Sequence, residues 1–179
     1  NMSTSVSELY LLESIKSFKG LKSNAEKAMD QISDSQMHEH PDEESNNVAI
    51  IVKHLAGNML SRFTDFLISD GEKPNRNRDG EFIDNFKSRE EIMAYWEQGW
   101  NCLFETLSSL KAEDLEKTVY IRNEAHTVLR AIHRQLTHYA YHCGQIVFLC
   151  KHLRQAEFKS LSIPKGDSLK YVTTAKKNN

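Results

Sequence analysis

Apolar residues recur three or four positions apart in four long stretches of the chain, a spacing that places them on one face of an α-helix. The stretches cover residues 7–32, 46–68, 88–110 and 126–153. Asp70 and Gly71 begin a turn signal after the second stretch, in a loop punctuated by glycine and proline. Ser88 and Glu91 have the spacing of a capping box at the start of the third. The pattern therefore predicts four long helices.

One short stretch departs from the helical spacing. Residues 118–121, Thr-Val-Tyr-Ile, are β-branched and aromatic but too few to found a sheet, so we expect an extended connection or a small hairpin arm. The predicted fold class is all-α, a four-helix bundle with long loops, in which one short extended segment can be present. A chain of 179 residues fits one domain, which we assign to residues 2–179, and we interpret Asn1 as a remnant of an expression tag.

Composition and charge narrow the classes of protein that fit. No apolar run approaches the roughly 20 residues of a membrane-spanning helix, and a net charge of -2 without a basic stripe disfavours nucleic-acid binding. Three cysteines are an odd number, and Cys102, Cys143 and Cys150 all fall inside apolar patterns, which indicates reduced core thiols. Because the beginning of the sequence also lacks the pattern of a secretory signal, we expect a cytoplasmic protein.

The strongest local motif is a histidine pair in the last predicted helix. His138 and His142 are four residues apart, so their side chains project from adjacent turns of one helix face and could chelate one metal ion. Position 139 is Tyr, so the motif lacks the glutamate of HExxH proteases. Apolar residues on the other faces predict a helix buried around most of its circumference, with this polar stripe facing a cavity. The alternative is that both histidines lie on a solvated face.

The second predicted helix supplies a less clear signal. On a helical wheel His54 lies among Asn47, Asn58 and Ser61, opposite the apolar positions, and this arrangement alone predicts a solvent-exposed face. Only Ile50 and Ile51 on the same side suggest partial cover.

Three segments change this interpretation. The chain resembles a bacterial subgroup of the DinB-like, or YfiT-like, superfamily over most of residues 46–153. The segments that carry the resemblance are VKHLAGNMLSRFTDFL, DGEKPNRNRDGEF and RAIHRQLTHYAYHCGQIVFL. The resemblance implies that His54, His138 and His142 ligate one divalent metal ion inside the bundle. Neutral imidazoles suit zinc or nickel, and iron as well. Three protein ligands would leave a position for water or substrate, as in catalytic metal sites.

Other polar residues near the predicted ligands are candidates for orienting the ligands or a substrate, because each lies within a turn of a ligand on the matching face. These candidates are Asn58, Arg134, Tyr141 and Gln145. The remaining histidines lie in loops, at helix ends or on another face, where solvated or capping roles are expected: His38, His40, His126, His133 and His152.

The resemblance also implies a function. Relatives in the superfamily conjugate or isomerise small molecules with low-molecular-weight thiols such as bacillithiol, so we expect a metal-dependent thiol S-transferase with a small-molecule substrate. One alternative is a metal-dependent hydrolase, which needs a general base, for which only the remote Asp65 and Glu124 offer themselves. Another is a non-enzymatic, stress-linked metal-binding module. Ala140 and Gly144 form a small-residue patch that would let a helix of a second copy approach, so a homodimer is expected, against simple packing within one chain.

Overall fold

The computed structural model describes residues 4–175, with side chains described up to residue 171; Asn1 and the ends of the predicted domain lie outside this range. The described part is mostly helical. Five α-helices and one two-stranded sheet follow one another in it, together with short 3-10 turns: α1 (Val6–Met29), α2 (Val48–Phe63), α3 (Arg89–Ser109), β1 (Thr118–Ile121), β2 (Glu124–Thr127), α4 (Val128–Arg154) and α5 (Ser168–Ala175).

Each of the four long helices begins at a residue whose side chain satisfies a free backbone N–H of the first turn. Ser5 caps α1, Asn47 caps α2, Ser88 caps α3 and Thr127 caps α4. Short polar side chains at this position stabilise a helix by about 1 kcal/mol each. These caps place the start of α2, α3 and α4 within two residues of the predicted boundaries.

The end of α2 differs from the prediction. The helix stops at Phe63 and not near residue 68, because Thr64 is extended and Asp65 has a φ of 49°, in the left-handed region. A residue with positive φ cannot continue a right-handed helix. The chain leaves α2 there and enters a loop of residues 64–88, which folds back along the helix.

The long helices pack as neighbours, α2 chiefly against α3 and α1 chiefly against α4. Gly99 lies against α2 so closely that a Cβ atom there would be 2.8 Å from the Cα of Ala56. The shared interior holds an aromatic cluster in which Phe18 contacts the rings of Trp100 and Tyr139 at centroid distances of 6.4 and 5.9 Å. These three side chains are fully buried, so the interior between the helices is apolar and close-packed.

Residues 118–127 form the small antiparallel hairpin, with Val119 paired to His126 and Tyr120 to Ala125. Arg122 and Asn123 turn the chain with φ of 53° and 64°, the signs that a two-residue hairpin turn requires. Asp70 accepts hydrogen bonds from both of their backbone N–H groups at 2.8 Å, which fixes the hairpin to the loop after α2. Of the two predicted possibilities, the stretch is the hairpin arm.

Helix α4 is buried along one face only, and two of the cysteines lie in the core. The expectation that α4 is buried around most of its circumference is wrong: its buried residues form one face, while Leu129, Tyr141 and Phe148 are 40%, 66% and 73% exposed. All three cysteines are free thiols; Cys143 and Cys150 are buried, as predicted, whereas Cys102 is only partly buried. None of the described helices combines the length and the apolar character needed to cross a membrane.

Candidate metal centre

Helices α2 and α4 bring three histidines together. The Nε2 atom of His138 lies 3.3 Å from that of His54 and 3.0 Å from that of His142, and one nitrogen from each ring falls within 4.8 Å of the others. Nitrogens bound at about 2.1 Å to a tetrahedral zinc lie about 3.4 Å apart. Residues far apart in sequence thus present a ligand set of the spacing that one ion requires.

In two of the rings, the hydrogen-bond partner of Nδ1 determines whether Nε2 carries a proton. The Nδ1 of His54 lies 3.0 Å from a carboxylate oxygen of Glu81, and the Nδ1 of His142 lies 2.7 Å from the amide oxygen of Gln145. Both partners accept hydrogen bonds, so each Nδ1 carries the proton and each Nε2 is left with a lone pair. Two lone pairs therefore point at His138, whose Nε2 could donate a proton to only one of them. A cation between the rings would satisfy all three nitrogens.

Glu81 is itself held rigidly. Its carboxylate accepts hydrogen bonds from Arg76 at 2.7 Å to Oε2 and 2.8 Å to Oε1, and Arg76 reaches Glu72 at 3.4 Å. A Cβ atom on Gly57 would lie 2.6 Å from Oε2 of Glu81, so the glycine makes room for this carboxylate beside the helix. A carboxylate that orients a ligating histidine is a recurrent feature of metal sites.

The charges of this group follow from its contacts. Burial opposes ionisation of Glu81, but hydrogen bonds and charges from Arg76 and His54 outweigh it and lower the pKa of the carboxyl. For Arg76, burial is likewise outweighed by Glu81 and Glu72, which raise its pKa. Burial, followed by the neighbouring rings of His142 and His54, lowers the pKa of His138 to about 3. Burial is also the main cause of the lowered pKa of His142, which the contact with Gln145 partly offsets. His138 and His142 are therefore neutral at physiological pH, the form that binds metals.

The four residues predicted to orient the ligands or a substrate lie at different distances from the three histidines. Gln145 contacts His142 directly, Asn58 accepts a hydrogen bond from the buried hydroxyl of Tyr139 at 2.7 Å, and Arg134 lies 3.2 Å from Nε2 of His126. Asn58 and Arg134 also line the cleft described below. Tyr141 is 66% exposed and lies edge-on to the ring of His142, with a centroid distance of 5.2 Å.

The solvent-exposed face predicted for α2 from periodicity is wrong. His54 is 7% exposed, Asn58 and Ser61 are 3% exposed, and within α2 only Lys53 and Leu60 escape burial. The loop of residues 64–88 covers this face and supplies polar partners there. The polar face of α2 is therefore buried because the loop of residues 64–88 packs on it.

Sequence reasoning missed Glu81, Arg76 and Phe82. Phe82 stacks on His54 with a centroid distance of 5.5 Å and an interplanar angle of 26°. All three lie in the loop, where no helical periodicity exists to place them. The available signal was the segment DGEKPNRNRDGEF, which contains all three.

An open cleft of about 540 Å³ leads to the histidines, and His54, His138 and His142 form part of its wall. No aspartate or glutamate lines it within the described part of the chain. Asp65 and Glu124, the two bases considered for hydrolysis, are exposed and do not line it. Burial raises the pKa of Cys143 and Cys150 to about 12, so neither is a thiolate at neutral pH.

Fold and site together define a mostly helical protein in which three converging histidines adjoin an open cleft. The sequence pattern of a family described as protein of unknown function (DUF1572) matches residues 5–167. The chain belongs to this family. Neither a curated protein nor a solved structure matches it.

Proposed function

We propose that His54, His138 and His142 hold one divalent metal ion, zinc or nickel, or alternatively iron, through their Nε2 atoms. The observation that carries the proposal is the convergence of these three nitrogens at 3.0 and 3.3 Å, beside an open cleft. Nitrogen donors of this kind suit these ions. The four long helices and the ligand pattern also support membership of the DinB-like superfamily, with a four-helix bundle as its single domain.

The position of the site favours a catalytic ion over a structural one. Three protein ligands leave at least one coordination position, and the histidines form part of the cleft wall, from which a small molecule could reach that position. A divalent ion there supplies Lewis acidity, which lowers the pKa of a thiol or water that it binds. Glu81 and Gln145 keep the protons of His54 and His142 on the Nδ1 atoms, away from the cleft.

We propose that the protein is a metal-dependent S-transferase that joins a low-molecular-weight thiol of the bacillithiol type to a small electrophile. The sulfur forms a bond to an electrophilic carbon, the leaving group takes the electron pair of the broken bond, and the thiol proton passes to solvent. This chemistry requires no carboxylate base in the cleft, and its described lining contains none. Hydrolysis calls for a base that faces the cleft, and Glu81, the carboxylate that contacts His54, does not line it, so hydrolysis is less well supported.

A non-enzymatic metal-binding module is the third candidate. It needs no access for a substrate, whereas an open cleft of about 540 Å³ falls within the size range of small-molecule sites. Access therefore favours an enzyme. We further propose that the protein acts in the cytoplasm and forms a homodimer.

The metal site can be tested by elemental analysis of purified protein after loading with zinc, nickel or iron(II). We expect about one ion per chain in the wild type and no stoichiometric metal in His138→Ala. His133→Ala is the matched control, because His133 is exposed on the same helix and should leave the metal content unchanged. Equal metal in His138→Ala and the wild type, or no metal in either, would contradict the proposal.

The reaction can be tested by following conjugation of a thiol to a chromogenic aryl halide. Turnover should occur with the loaded wild type and with His133→Ala, and should disappear after chelation or in His138→Ala. If the rate is insensitive to chelator, or equals the uncatalysed rate for thiol and electrophile alone, the transferase proposal fails while the metal site stands.

A further inference from the structure

Five arginines line the cleft that leads to the three histidines. They come from α2, the loop, the hairpin turn and α4: Arg62, Arg76, Arg78, Arg122 and Arg134. Because no carboxylate lines the same cleft in the described part of the chain, the charged side chains facing it are all cationic. A cleft lined by one sign of charge concentrates ligands of the opposite sign.

Three of the arginines already form ion pairs with carboxylates that do not line the cleft. Arg76 binds Glu81, Arg62 donates to Glu72 at 3.1 Å, and Arg122 reaches the same carboxylate of Glu72 at 3.3 Å. Arg62 also donates to the carbonyl of Gly71. These contacts hold the three guanidinium groups in place and compensate much of their charge.

Arg78 and Arg134 have no such compensation. The side chain of Arg78 is exposed and makes no hydrogen bond or ion pair with any residue in the described range. Among the described residues, the side chain of Arg134 hydrogen-bonds only to a ring nitrogen of His126, at 3.2 Å, and Glu124 reaches the same ring nitrogen at 3.8 Å. Two cationic groups from different elements thus face one cleft without a carboxylate partner.

We infer that the cleft binds a small molecule carrying an oxyanion, a carboxylate or a phosphate, with Arg78 and Arg134 as its recognition residues. A planar guanidinium offers paired N–H donors that match both kinds of anion. The inference deepens the proposed function, on which it rests for the reactive end of the substrate: that end would lie at the histidines, and the anionic end would lie at the arginines. The volume of about 540 Å³ accommodates both ends of one small molecule.

The test is calorimetric titration of metal-free and metal-loaded protein with succinate, with inorganic phosphate and with succinamide, the uncharged analogue of succinate, at constant ionic strength. Wild-type protein should bind at least one of the two anions saturably and should not bind succinamide. The double variant Arg78→Gln/Arg134→Gln should bind that anion at least tenfold more weakly. Succinate binding alone would identify a carboxylate site, and phosphate binding alone a phosphate site.

The control is the double variant Lys87→Gln/Arg130→Gln, which removes the same net charge from exposed positions outside the cleft and should bind the anion as the wild type does. Metal content is measured in every sample, and both double variants should retain it, so failure of the anion site can be told apart from failure of the metal site. The inference is overturned if neither anion binds, if succinamide binds as tightly as succinate, or if the arginine variant binds the anion like its control.

Discussion

Two regions that share helix α4 differ in what they bury. The first is the aromatic cluster, where Trp100 packs edge to face with Phe18 and Tyr139, and the rings of Phe18 and Tyr139 are tilted to each other. The second is the histidine region, where His54 meets Glu81 and two further imidazoles. In the first region position is fixed by shape, and in the second by directed hydrogen bonds and charge.

The difference shows how one helix can serve both purposes. Tyr139 belongs to the aromatic cluster, yet its hydroxyl donates a hydrogen bond to Asn58, next to the histidine region. Its neighbour His138 faces the other two imidazoles. A buried polar group is tolerated only when it is paired. The histidine region therefore depends on the loop after α2 for its partners, whereas the aromatic cluster depends only on the helices.

The largest effect on stability should come from truncating the aromatic cluster. Phe18→Ala removes a fully buried ring that contacts Trp100 and Tyr139, and we expect it to lower the free energy of unfolding by about 3–5 kcal/mol. Chemical denaturation measures the change. Leu12→Ala is the control, because Leu12 on the same helix is 53% exposed and should have a far smaller effect. Similar losses in the two variants would show that the aromatic cluster is not the stabilising region.

A change in the histidine region should act on metal affinity more than on the fold. Glu81→Gln keeps the shape of the side chain but weakens its hold on Nδ1 of His54, and we expect metal affinity to fall by about 10- to 100-fold. Competition with a chromogenic chelator measures it. Asp79→Asn, an exposed change in the same loop, is the control.

Gly57→Ala tests the same contact without touching the carboxylate. Its Cβ would stand 2.6 Å from Oε2 of Glu81 and should displace the carboxylate, which would also weaken metal binding. Unchanged affinity in both Glu81→Gln and Gly57→Ala would mean that Glu81 does not position His54.

Acidification should lower the stability of the metal-free protein gradually. An unperturbed histidine has a pKa of 6.5, and that of His138 is lowered to about 3 by burial and neighbouring rings. Between these values the unfolded chain binds a proton that the folded chain does not, so the free energy of unfolding should fall as pH decreases from about 6.5 to about 3. Urea titrations at several pH values measure it. His138→Gln should show a shallower dependence, and an identical one would assign the pH effect to other groups.

The smallest effects should come from two glycines with open space around them. A Cβ on Gly20 or Gly144 would meet no atom within 4 Å, so alanine at either helical position should stabilise the chain by about 0.5–1 kcal/mol. Thermal unfolding compares the two. Gly144 belongs to the small-residue patch considered for a homodimer, so Gly144→Ala should also weaken dimerisation, while Gly20→Ala should not. Equal sedimentation behaviour of the two variants would remove Gly144 from any interface.

Local signals determined much of the helical fold. Helical spacing and the short polar cap Ser88 placed the long helices, because both depend on residues within one or two turns of each other. The pair His138 and His142 was visible for the same reason. The end of α2 could not be predicted in this way, since the spacing of apolar residues does not indicate the positive φ of Asp65.

The third histidine shows where local information ends. The polar neighbours of His54 predicted a solvated face, and only the resemblance to DinB-like sequences joined it to the pair on α4. Its burial was decided by the loop that carries Glu81 and Arg76, whose contact with α2 spans 27 residues between Glu81 and His54. The sequence by itself thus determined where the four long helices lie and which two imidazoles share a face. Only the tertiary structure decided that a third imidazole and an arginine-lined cleft meet them, because long-range packing and charge pairing depend on segments distant in the chain.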